Sequence, residues 1–139
     1  MKLHLIKLAV GVDDIDHLVD RQRVNKRGNV EHRTRMMPKR VDELLDGGSM
    51  YWVIRGFIQV RRSLVDLRQG KDAHGKSICI IEMEPEIHLV HPRAQRPFQG
   101  WRYLKADAVP LDIKGNLKSY VDPKMPKEMR HELLRLGLI

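Results

Sequence analysis

The sequence predicts one α+β domain over residues 1–139, a bent, mostly antiparallel sheet or pseudo-barrel with three short helices near residues 13–25, 38–46 and 126–136. Three observations carry this reading. Helix-period and strand-period segments alternate along the chain. The stretch from Thr34 to Leu67 holds a helix, a glycine turn and a long strand signal in succession. No repeat, low-complexity tract or second domain interrupts the 139 residues, and that length suffices for one hydrophobic core.

Residues 2–10 read as a strand with apolar side chains on both faces. Leu3, Leu5 and Ala9 share one face, and Ile6, Leu8 and Val10 the other. A strand covered on both sides is central or barrel-forming. Gly11 ends it, and Asp13 is placed to cap the next helix. Ile15, Leu18, Val19 and Gln22 fall on one face of that helix. Arg21, Arg23, Lys26 and Arg27 then crowd around the turn formers Asn25, Gly28 and Asn29. This is a basic, exposed connection. A short strand, roughly Val30 to Met36, leads to Pro38, a good first helical residue because it has no N–H to lose.

Val41, Leu44 and Leu45 give the second helix its apolar stripe. Gly47 and Gly48 stop it. From Met50 the period becomes two: Met50, Trp52, Ile54, Ile58 and Val60 share a parity broken by Gly56. One face is core; the other alternates Tyr51, Val53, Arg55, Phe57, Gln59 and Arg61. A bulge at Gly56 would put Phe57 rather than Ile58 in the core. The polar loop 69–75 predicts a hairpin with a second strand, Ser77 to Met83. Pro85 breaks that strand, and Ile87 to Val90 resumes it. Residues 92–105 form a loop entering a short strand. Pro126 opens the last helix, with Met129, Leu133 and Leu136 inward and Gly137 as its stop.

Apolar residues make up 42% of the chain, which argues against wholesale disorder. The net charge of +8 favours an anionic partner. The N-terminal apolar run is interrupted by His4 and Lys7 and lacks a small-residue cleavage site, so no signal peptide is expected. No stretch approaches the length of a membrane-spanning helix. The expected compartment is the cytoplasm, with no membrane partner. A single cysteine, Cys79, lies in an apolar run; it forbids an intramolecular disulfide and reads as a buried, inert thiol.

Most candidate chemistry is weak. His88 and His91 are spaced HxxH on a strand ending at Pro92, a poor metal site without further ligands. Gly47-Gly48 lacks a phosphate-cradling pattern. No nucleophile elbow or catalytic triad can be argued. No metal or cofactor is expected. Glu82, Glu84 and Glu86 alternate on one strand, the pattern of an exposed charged face or, less commonly, of carboxylates doing acid–base work.

One constellation stands above background. Residues 92–105 carry no acid, and Arg93, Arg96, Arg102 and Lys105 are interleaved there with Phe98, Trp101 and Tyr103. Guanidinium groups contact phosphates, and aromatic faces stack on unpaired bases. Equally, Trp52, Trp101 and Phe98 could anchor the core, with the arginines as its solvated rim.

The runs LLDGGSMYWVIRGFIQVR, RPFQGWRYLK and LHLIKLAVGV resemble a family of short bacterial proteins of unknown function. The resemblance covers essentially the whole chain. It directs attention to the glycine turn, Tyr51-Trp52 and Phe98 to Leu104. At the level of fold, the order of helix, glycine turn, long strand and later strands resembles the pseudo-barrel of RNA-binding PUA and ASCH-type domains. That resemblance implies a helix bordering a cleft for RNA or a base. The glycine, lysine and glutamate that mark ASCH domains before the strand are replaced here by Ser49, Met50 and Tyr51.

The sequence therefore predicts a non-catalytic nucleic-acid-binding module, for RNA rather than duplex DNA. The expected phosphate contacts are Arg33, Arg35, Lys39, Arg40, Arg55, Arg61, Arg96 and Arg102. The expected stacking residues are Tyr51, Trp101 and Tyr103. An alternative is a small enzyme acting on a nucleotide or other anionic metabolite, with Glu82 or Glu84 as base beside Arg55 or Arg102. A third is a ligand-free protein-assembly factor, which would expose a large apolar patch.

Overall fold

The computed structural model describes residues 2–113. The expected helix at 126–136 lies outside these residues. Eight strands form one open mixed sheet of the α+β class: β1 Leu3–Leu8, β2 Arg23–Val24, β3 Val30–Thr34, β4 Ser49–Ile54, β5 Phe57–Lys71, β6 Ser77–Met83, β7 His88–Ala94 and β8 Trp101–Lys105. Two α-helices, α1 Ile15–Arg21 and α2 Val41–Leu45, and a short 3-10 helix at Ala106–Ala108 complete the described elements. The main path through the sheet runs β2-β3-β6-β5-β4-β1-β8, with β7 added beside β5. Every pairing is antiparallel except that of β1 with β4.

The two-sided apolar pattern of β1 is explained by its place. It lies between β4 and β8, with Leu3 and Leu5 in the main core and Ile6 in a second cluster with Tyr51, Val53, Ile58 and Val90. Both faces are largely buried, so both parities are mostly apolar, with His4 and Lys7 as the exceptions.

The segment expected as one long strand is two strands folded into a hairpin. The break is Arg55-Gly56, with φ of 50° and 81°. A two-residue turn needs positive φ at both positions to match the strand twist, and the glycine makes one of them free of Cβ strain. The bulge lies further on, where consecutive Trp52 and Val53 pair with Val60 and Ile58, leaving Gln59 over. Ile58 is thereby turned into the second cluster, away from the Trp52 and Val60 face, while Phe57 stays exposed. A second irregularity, at Val65, lies where β5 passes from β4 and β7 to β6. One strand thus serves both halves of the sheet.

Both described α-helices are shorter than predicted. Asp14, rather than Asp13, caps α1: its Oδ1 accepts the His17 N–H at 2.8 Å. The chain leaves α1 at Gln22 because Arg23 and Val24 pair with Glu31 and Val30. The basic connection is therefore a hairpin. Helix α2 begins at Val41 and not at Pro38, because the Lys39 and Arg40 N–H groups donate to the Tyr103 hydroxyl at 3.0 and 3.2 Å. That tie holds the segment outside the helix and fastens it to β8.

The β5–β6 hairpin forms as predicted, and β7 continues through Pro92 instead of ending there. Cys79 is buried, and burial pushes its thiol above the usual range.

Candidate nucleic-acid interface

Lys7 is in register with Trp52 of β4 on one side and with Trp101 of β8 on the other. Paired residues in a sheet project to the same face, so the three side chains form a row. A groove of 570 Å³ opens beside this row, lined by Lys7, Arg33, Thr34, Arg35, Met36, Gln99, Gly100 and Trp101. Among the described residues, no acid lines it. Three separate regions of the sequence supply it: β1, the end of β3, and the entry to β8.

The groove wall is braced. The Trp101 indole N–H donates to the Met36 carbonyl at 2.7 Å. Its ring meets Tyr103 edge-on with centroids 4.9 Å apart. The Tyr103 ring lies 5.6 Å from the Arg40 guanidinium carbon. Trp101 is half-buried, so part of its ring borders the groove while its N–H is already spent on the backbone. Arg33 is exposed and makes no ion pair among the described residues. Arg35 reaches Asp72 at 3.1 Å on the outer side, and Arg40 pairs with Glu43. Lys7 is half-buried, and burial pulls its ammonium below the usual range.

Of the eleven residues expected at the interface, the groove takes in Arg33, Arg35 and Trp101, with Tyr103, Lys39 and Arg40 as its frame. The others lie elsewhere. Tyr51 is buried with its ring edge-on to His4 and offers no open face for a base. Arg61 forks onto Asp112 through Nε at 2.8 Å and Nη2 at 2.7 Å, while Nη1 donates to Ser49 Oγ. Its three donor nitrogens serve the fold. Arg102 projects to the opposite face of β8 and covers the Phe98 ring at 4.7 Å. Arg55 occupies the hairpin tip, near Asp13 at 3.6 Å, and Arg96 is exposed on the loop before β8.

The carboxylate candidates fare differently from the groove arginines. Glu82 is buried and accepts from Arg27, Asn29 and Arg68 at 2.6, 2.8 and 3.0 Å. These donors, Asn29 first, hold its carboxyl below the usual range. A carboxylate so stabilised is a poor proton acceptor. Glu84 is exposed to solvent. Neither forms an ion pair with Arg55 or Arg102.

Lys7 is the groove cation that the sequence did not single out. The available signal was a lysine on the core parity of a strand that is mostly apolar on both faces.

Fold and groove define a class: a small α+β protein on one open mixed sheet, with a basic groove that has an aromatic wall along one face. Residues 5–139 match the model of the family described as "Protein of unknown function (DUF1489)", and the chain belongs to that family. No curated protein and no solved structure matches it. Among the described residues, no helix is long and apolar enough to cross a membrane.

Proposed function

We propose that the protein is a non-catalytic RNA-binding module and that the Lys7–Arg33–Arg35–Trp101 groove is where the strand lies. The observation that carries this reading is the lining itself: three cations and a half-exposed indole around 570 Å³, with no acid among them. Cations there attract phosphate regardless of sequence, and an aromatic face accepts any unstacked base. The groove lies against strands and loops rather than along a projecting helix, which suits single-stranded or looped RNA better than a duplex major groove. The architecture is read as a PUA-like pseudo-barrel; the tie from Tyr103 and Trp101 to residues 36–40 supports this by drawing β8 toward the end of β3.

The test is an anisotropy titration of labelled single-stranded RNA at two salt concentrations. The wild type is compared with Arg33→Ala/Arg35→Ala and with Arg55→Ala/Arg102→Ala. The groove pair should weaken binding at least tenfold, and the distant pair should leave most of it. Absence of binding at low salt rejects the function. Equal loss from both pairs, with folded spectra retained, rejects the groove as its site.

A further inference from the structure

A second cavity lies on the far side of Lys7 from the groove. It measures 280 Å³ and sits between α1 and the β1, β3 and β4 surface. Ala9, Val12 and Leu18 give it an apolar wall. Its polar members among the described residues are Lys7, Arg21, Gln22, His32 and Trp52, and none of these is acidic.

Three polar atoms of this lining are buried without a hydrogen-bond partner among the described residues: Gln22 Oε1, His32 Nε2 and Trp52 Nε1. Native interiors satisfy nearly all such atoms, and each exception calls for an explanation. The Trp52 side chain is 1% exposed, and its indole N–H can only donate. It therefore requires an acceptor. The Gln22 amide and a neutral imidazole can each present a donor or an acceptor, depending on amide orientation and tautomer. Lys7 adds an ammonium with no acid partner among the described residues. The Arg21 guanidinium donates through Nη1 to the neutral Val10 carbonyl at 3.1 Å. The fixed demand is for acceptors, and the charged members of the lining among the described residues are both cations.

We infer that this cavity binds a small amphiphilic carboxylate, with one oxygen taking the Trp52 N–H, the charge facing Lys7, and a ring or short hydrocarbon body against Ala9, Val12 and Leu18. The volume is at the small end for ligand sites and suits a single ring. A carboxylate meets the donors that the fold leaves unpaired, and a neutral molecule of the same shape leaves the lysine unanswered. Lys7 borders both compartments, but this site stands or falls independently of the RNA groove.

The two tryptophans make the test direct, since Trp52 reports on the cavity and Trp101 on the groove. Indole N–H resonances of the ¹⁵N-labelled full chain are assigned with Trp101→Phe. The chain is then titrated with benzoate, hexanoate and benzamide at constant ionic strength. Benzoate or hexanoate should move the Trp52 resonance saturably, with benzamide at least tenfold weaker. Lys7→Met should weaken the carboxylate at least tenfold with the spectrum still dispersed, and Arg21→Gln is a second variant should that one not fold. The inference is overturned if neither carboxylate gives a saturable Trp52 shift by about 20 mM, a millimolar affinity being worth only about 4 kcal/mol. It is equally overturned if benzamide binds as well as benzoate, or if binding survives loss of the cation. A shift confined to Trp101 assigns the anion to the groove and also overturns it.

Discussion

Arg61 and Asp112 are joined by two parallel hydrogen bonds of 2.8 and 2.7 Å, although 51 residues separate them in the chain. Asp112 also pairs in a bridge with Val90. The fork thus fastens the segment after β8 across β5 and β7. Arg61→Ala should cost about 1–2 kcal/mol, the range for a charge-assisted pair discounted for the exposure of Asp112. Urea unfolding measures the loss. RNA affinity of the folded variant should be unchanged, because the guanidinium is not in the groove.

Salt dependence distinguishes groove residues from general attraction. On a single strand, the slope of log K against log salt falls by about 0.7 for each phosphate no longer neutralised by the protein. Arg33→Ala/Arg35→Ala removes two cations and should reduce the slope by about 1.4. Weaker affinity with an unchanged slope would mean that these arginines do not meet phosphates.

His32 should make stability sensitive to pH. Burial, with Lys7 nearby, lowers its imidazole from 6.5 to about 4. Between these values the unfolded chain binds a proton that the folded chain refuses. The stabilising contribution is full above pH 6.5 and is lost as pH falls toward 4, by at most about 3 kcal/mol. His4 is also pushed down by burial, so the informative quantity is the difference between wild type and His32→Leu. The variant should show a shallower fall from about pH 7 to about pH 4.5 in denaturant unfolding. Equal slopes would contradict the assignment. The lowered carboxyls of Glu31, Glu82 and Asp112 contribute their losses at the acid edge of this window or below it.

Gly48 should tolerate no side chain. A Cβ there would lie 2.3 Å from both the Leu3 and Leu44 carbonyl oxygens, which are backbone and cannot rotate aside. Gly48→Ala should cost about 3 kcal/mol or more. Gly28 has φ of 81° but nothing within 4 Å of its Cβ position. Gly28→Ala should cost only the left-handed strain of about 1–2 kcal/mol. Thermal melts of the two variants should rank them in that order.

What the sequence determined by itself is local or periodic. The two-sided burial of β1 was legible because apolar residues on both parities have one common cause, coverage on both faces. The α2 stripe, the glycine stop, the β5–β6 hairpin and the buried cysteine were legible for similar reasons. The family was legible in three blocks of sequence. What the tertiary structure decided is everything that depends on distant partners. Two positive-φ residues at Arg55-Gly56 turn one periodic run into two strands, and alternation continues through such a turn, so period alone did not reveal it. Tyr103 decides where α2 begins by taking amides 63 and 64 positions away. Arginine is one residue type in the sequence, yet Arg61 is bound to Asp112, Arg102 lies on Phe98, and Arg33 stays exposed in the groove. Which role each takes is set by the carboxylate, ring or solvent that the sheet brings beside it. The same holds for Lys7: its position on β1 was plain, but only the pairing of β1 with β4 and β8 places it between two tryptophans.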